Sequence, residues 1–146
     1  MELKMIRFLK HMLELFGVVY LRYRLVPRLW NVWLVGINAA CLLFISHVEA
    51  QVLLAVTGMA VTAQTLIYGR IGFTRILGVV HVMWVPMFVW MATRLELISG
   101  NPAFAHWLLI VFFTNLVSMI VDTIDVTRFL RGERNPHYHW KLTDPT

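Results

Sequence analysis

The sequence predicts an all-α integral membrane protein: four transmembrane helices in an up-down bundle, preceded by an amphipathic interfacial helix. Three observations carry this. Hydrophobic residues make up 59% of the 146 residues and charged residues 14%, against about 45–50% and about 25% in soluble domains. The apolar residues are gathered into long runs, the pattern of membrane spans. The middle of the chain lacks the polar face that each helix of a water-soluble bundle needs. The length suits one membrane domain, 1–146.

Residues 2–16 read as the amphipathic helix. Ile6, Leu9, Leu13 and Phe16 recur at helical spacing, and Lys4, Arg7, His11 and Glu14 repeat on another face. An apolar stripe opposite a mostly basic face suits anionic lipid headgroups; a protein partner would use the same stripe. The charges that break this stretch also argue against a cleavable signal.

A basic, aromatic connector follows, with Tyr20, Arg22, Tyr23, Arg24 and Arg28, and Pro27 suits a first helical turn. The first span is expected at about 29–45, with Trp30 and Trp33 in an interfacial aromatic belt. A short turn at 46–50 leads to the second span, 51–68. A loop carrying Arg70 and Arg75 precedes the third span, 76–93. Residues 94–102 form the next connection, where Asn101 and Pro102 read as a helix cap and first helical position. The fourth span is expected at 103–126, and 127–146 forms a polar, basic tail with a frayed end.

Orientation follows from the basic residues. Lys4, Arg7, Lys10, Arg22, Arg24, Arg28, Arg70, Arg75, Arg128, Arg131, Arg134 and Lys141 fall on one side, and Arg94 alone on the other. That bias places the first group, and both termini, on the cytoplasmic side of a cell inner membrane. The net charge of +5 therefore addresses lipid headgroups. Nucleic acid is excluded as a partner, because no soluble domain carries a basic face. The lone Cys41 cannot form an intrachain disulfide.

The polar residues inside the spans are the candidate site. Asn115, Ser118, Asp122 and Asp125 form one stripe on the fourth span. A central Asp costs roughly 2.5–3.5 kcal/mol to insert, so the stripe should face the bundle interior. Asp122, His81 and Gln64 each lie six residues from a flanking arginine, which puts all three roughly 9 Å below the cytoplasmic boundary. Asn38 lies nearer the midplane. Asp122 and His81 are a candidate proton- or ligand-binding pair; alternatively Arg128 or Arg131 neutralises Asp122 and Asp125 as a structural arrangement. Gly36 with Ala40, and Gly58 with Thr62, have the spacing of close helix contacts, and Gly78 stands one turn before His81. Pro86 should kink the third span.

Metal binding by His81, Asp122 and Asp125 has only a weak signal, a single Asp-x-x-Asp. His137 and His139 alternate with Tyr138 and Trp140, which fits a tail on the headgroups better than a metal site. His47 and His106 could pair as haem ligands, but nothing else suggests haem. No cofactor is indicated. The first span lacks the acidic residue of small four-span multidrug transporters, and the D-G-x-x-A-R pattern of membrane phosphatidyl-transferases is absent. No P-loop, G-x-S-x-G or HExxH occurs. The leading expectation is a non-enzymatic bundle handling a small solute or proton, or an accessory subunit with membrane-protein partners or further copies of itself. The alternative is an enzyme acting on a lipid or quinone with Asp122 and His81 as acid and base.

Overall fold

In the computed structural model, which describes residues 2–140, the apolar runs form helices and the order of elements follows the sequence reading. α1 covers Glu2–Gly17 and runs into a π turn, Val18–Arg22, closed by the Tyr23 amide donating to Val18 O at 3.1 Å. α2, Leu25–Ala39, tightens into a 3-10 stretch, Ala40–Phe44. α3 spans Val48–Ile71, and a 3-10 segment, Arg75–Met83, leads into α4, Trp84–Ala92. A single turn, α5 (Leu95–Ser99), lies in what the sequence left as a connection. α6 runs Pro102–Leu130. Four of these stretches, Leu25–Phe44, Val48–Ile71, Arg75–Ala92 and Pro102–Leu130, are long and apolar enough to cross a membrane. The expected frayed end, residues 141–146, lies outside the described residues.

The boundaries shift where local signals were missed. α2 starts four residues early, with Pro27 still in the first turn, where amide donors have no helical partner. α3 begins at Val48, so Glu49 belongs to a helix and not to a turn. It is buried, and accepts from Arg94 Nε at 2.6 Å, tying the start of α3 to the connection after α4. α6 starts as expected: the Asn101 side chain accepts from the Phe104 amide at 3.2 Å, with Pro102 first in the helix. It continues four residues past the expected end. Gly72 ends α3 with φ of 74°, a conformation that favours glycine.

Ahead of Pro86, where the sequence predicts a kink, the span changes helix type. Proline removes the amide that would bond Val82 O, and α-helix begins only at Trp84, after nine residues of 3-10 helix. Such a run is long for that geometry.

Two apolar clusters hold the helices. One joins Cys41, Leu53, Trp84, Met87, Phe104, Trp107 and Val111. The other joins Leu15, Tyr68 and Leu77, and so attaches α1 to α3. Large apolar side chains such as Leu43, Val89, Leu109, Phe113, Ile120 and Ile124 cover the outer faces, as lipid-facing helices require. The apolar stripe of α1, with Ile6, Leu9 and Leu13, is likewise exposed.

The small-residue expectation is corrected. A Cβ on Gly36 or Gly58 would meet nothing within 4 Å, so neither marks a close contact. Gly78 does: a Cβ there would lie 2.5 Å from Asp122 Oδ1 and 2.7 Å from Asp122 Cβ.

Candidate functional site

The site is built on two helices of different pitch. A 3-10 helix has three residues per turn, so residues three apart eclipse. Arg75, Gly78, His81 and Trp84 have that spacing and form one column. On α6, Asn115, Ser118, Asp122 and Asp125 form a stripe at α-helical spacing. Gly78, lacking a Cβ, lets the column come close to Asp122.

Arg75, Gly78 and His81 of this column meet the stripe. His81 Nδ1 lies 2.6 Å from Asp122 Oδ2. With Asp122 as a carboxylate and a neutral imidazole, Nδ1 is the donor and Nε2 keeps a lone pair. Gln64 Nε2 lies 3.5 Å from that Nε2 and donates to Leu77 O at 3.4 Å. The Trp84 ring stacks on His81 with centroids 4.4 Å apart. Arg75 Nη1 bonds Asp125 Oδ1, and its Nε lies 3.1 Å from Glu133 Oε2. The 3-10 rise carries His81 roughly 12 Å from Arg75, against roughly 4.5 Å between the two aspartates; the length of the Arg75 side chain makes up the difference.

The other half of the stripe serves α2. Asn38 and Asn115 exchange two amide hydrogen bonds, each 3.0 Å, and both are buried. Trp30 Nε1 donates to Ser118 Oγ at 3.3 Å, and Trp33 Nε1 to Thr114 Oγ1 at 3.2 Å. Trp107 Nε1 donates to Ile37 O at 3.0 Å.

These contacts place the sequence candidates. Gln64, His81 and Asp122 meet; Asn115 and Ser118 lie on the same stripe but turn to α2; Asp125 turns to Arg75. The expectation that Arg128 or Arg131 neutralises the aspartates is corrected: Arg128 Nε bonds Glu133 at 2.9 and 3.0 Å. The Trp30 and Trp33 indole N–H groups both reach across to α6. Arg75 and Asn38 were legible as polar residues but not as partners, because no local signal links residues 50 and 77 positions apart.

A cavity of about 1030 Å³ opens beside the pair. Arg24, Gln64, Arg75, His81, Asp122, Asp125 and His137 line one part, and Leu34, Val35, Leu42, Leu54 and Val121 another. Three aromatic rings cluster at its tail end: Tyr23 lies 4.9 Å from Tyr138 and 5.4 Å from Phe73. The tail is held there by the His137 amide donating to Phe73 O at 3.0 Å. Burial pushes the Tyr23 phenol well above its usual 10.0, so it stays neutral.

Among the described residues, no three His, Cys, Asp or Glu side chains are grouped to hold a metal ion. His47 stacks on Phe104 at 4.1 Å, and His106 is exposed. The geometry thus defines an all-helical chain with four helices able to cross a membrane and a His–Asp pair on a cavity wall. No protein-family model matches the chain, and no curated protein or solved structure is significantly similar to it.

Proposed function

We propose that this chain is a multi-pass protein of the cell inner membrane, both termini cytoplasmic, whose His81–Asp122 pair exchanges a proton with the cavity. The observation that carries this is the 2.6 Å contact between His81 Nδ1 and Asp122 Oδ2 on the wall of that cavity. An ionisable pair inside a span is by default a functional one. Asp122 fixes the tautomer, so Nε2 is the atom that takes up a proton. The imidazolium formed then stands against a carboxylate, and release reverses the step. Gln64 steadies the ring from the other side. The opposed order of the α2–α6 contacts, 30 with 118 and 37 with 107, supports an up-down bundle.

Proteoliposomes of total bacterial membrane lipid containing the full chain test this. After an acid pulse, an internal pH dye should report proton entry at least about five-fold faster than in empty vesicles. His81→Gln and Asp122→Asn should abolish the difference. Equal rates in wild type and both variants would sink the proposal.

The partly apolar lining of the cavity favours a second reading, an enzyme acting on a lipid or quinone with the same pair as acid and base. It predicts chemical turnover of an added lipid or quinone.

A further inference from the structure

The cavity carries polar atoms that the pair does not use. Trp84, Thr57 and Thr74 line the cavity, and their Nε1 and Oγ1 atoms are buried with no hydrogen-bond partner among the described residues. Trp84 and Thr74 are each only 3% exposed. A buried donor left unmet costs about 1–3 kcal/mol, and in an apolar setting it is normally answered by an acceptor. Trp84 stacks on His81, so an indole donor and an imidazole nitrogen, which Gln64 Nε2 approaches only to 3.5 Å, belong to one wall. A guest with oxygen atoms that both accept and donate would satisfy them.

The charges on the same wall point to an uncharged guest. Asp122 faces His81, and Asp125 faces Arg75. Arg24 and His137, the other basic residues of the lining, are both exposed. Among the described residues no buried, unpaired cation lines the cavity to answer a phosphate, and a buried anion without a partner is costly. Leu34, Val35, Leu42, Leu54 and Val121 give one part of the lining an apolar surface, and Asn31, Asn38 and Ser118 add uncharged polar groups. The volume, about 1030 Å³, reaches the upper end of small-molecule pockets, about 300–1,000 Å³, enough for a ring and part of a chain.

We propose that the cavity binds a membrane amphiphile with an uncharged, oxygen-bearing head, either a quinone/quinol ring or a lipid alcohol such as diacylglycerol. Trp84 Nε1 and Thr57 Oγ1 donate to its oxygens, His81 Nε2 accepts from a hydroxyl where one is present, and the chain lies along α2. This deepens the proton-exchange reading, and rests on it only in taking the cavity as a ligand site.

The test is photo-crosslinking of the full-length protein in lipid nanodiscs, read by peptide mass spectrometry. Three probes are used: an azido-quinone, a diazirine diacylglycerol and a diazirine phosphatidylglycerol. One or both neutral probes should label the cavity walls on α2, the 75–84 segment and α6, and unlabelled neutral competitor should remove that label. The neutral probe that labels identifies the source. Phosphatidylglycerol should label only outer positions such as Leu109 and Phe113. Trp84→Phe and Thr57→Val should each cut cavity labelling about five-fold, the worth of one hydrogen bond. Thr57→Val keeps the side-chain shape and serves if Trp84→Phe does not fold. Cavity labelling by phosphatidylglycerol, none by either neutral probe, or labelling unchanged in folded variants would overturn the proposal. Labelling without proton movement in wild-type vesicles would retire the proton reading and leave the site. Proton movement without labelling would do the reverse.

Discussion

His81 and Asp122 stand 41 residues apart in sequence and 2.6 Å apart in space, Nδ1 to Oδ2, each mostly removed from solvent. Breaking a buried pair from one side leaves the other charge uncompensated. With side chains 15% and 23% exposed, His81→Ala and Asp122→Ala should each cost about 2–3 kcal/mol, below the full burial value. A double-mutant cycle in chemical unfolding should show about 1–2 kcal/mol of coupling. Additive losses would mean that the two do not interact. His81→Leu with Asp122→Leu should regain stability without regaining proton movement.

Gly78→Ala should destabilise by about 1–3 kcal/mol, because the new methyl meets both the Asp122 carboxylate and its Cβ. Gly36→Ala and Gly58→Ala meet nothing and should be neutral or stabilising by up to about 1 kcal/mol, since glycine is a poor helix former. Thermal unfolding of the three variants in detergent orders them. Gly78→Ala as mild as the other two would contradict the close approach.

The Asn38–Asn115 exchange should hold α2 to α6. Asn38→Leu leaves the Asn115 amide unmet in a fully buried position and should cost about 1–2 kcal/mol. Asn38→Leu with Asn115→Leu should cost less than Asn38→Leu alone. Unfolding midpoints in a denaturing detergent titration measure both. Indifference to Asn38→Leu would show α2 to be held otherwise.

Glu133 lies beyond the spans. Its carboxyl is held below the usual 4.5 by the hydrogen bond from Arg128, with Arg75 adding to the effect. A lowered value means that its contribution is present above pH 4.5 and is lost as pH falls through the lowered value. Amide exchange in residues 132–140 should therefore speed up below pH 4.5, and less so in Glu133→Gln. An NMR titration of Glu133 should move up toward 4.5 in Arg128→Gln; a midpoint unmoved by that change would remove Arg128 as the cause.

The proposed orientation is open to labelling. Cys41 is buried, so a Cys41→Ala background suits single cysteines at Ser99 and Arg134. These should react with an impermeant reagent from opposite sides of the membrane. Reaction of both from one side would exclude the crossing by α6 that separates them.

Much of the architecture lay in local signals. Length and apolarity of four runs, the Asn101–Pro102 start of α6 and the polar stripe on that helix each depend on residues within a few turns of one another. Counting from flanking arginines also grouped Gln64, His81 and Asp122, though the count took α-helical rise for a segment that is 3-10 helix. These properties follow from helix rise and the cost of polar groups in lipid, which every span obeys by itself.

Partners were decided only by the tertiary structure. In an α-helix, Arg75 and His81 would point about 120° apart; at three residues per turn they eclipse, so both reach α6. That change of pitch precedes Pro86 and rests on helix packing that no window of sequence displays. The same packing gives Asp125 to Arg75 instead of Arg128, turns the Trp30 and Trp33 indoles toward α6, and makes Gly78, not Gly36 or Gly58, the close approach. Hydropathy says that a stripe must be buried. Which neighbour buries it depends on how each helix is rotated about its own axis, and that is set by all the contacts together.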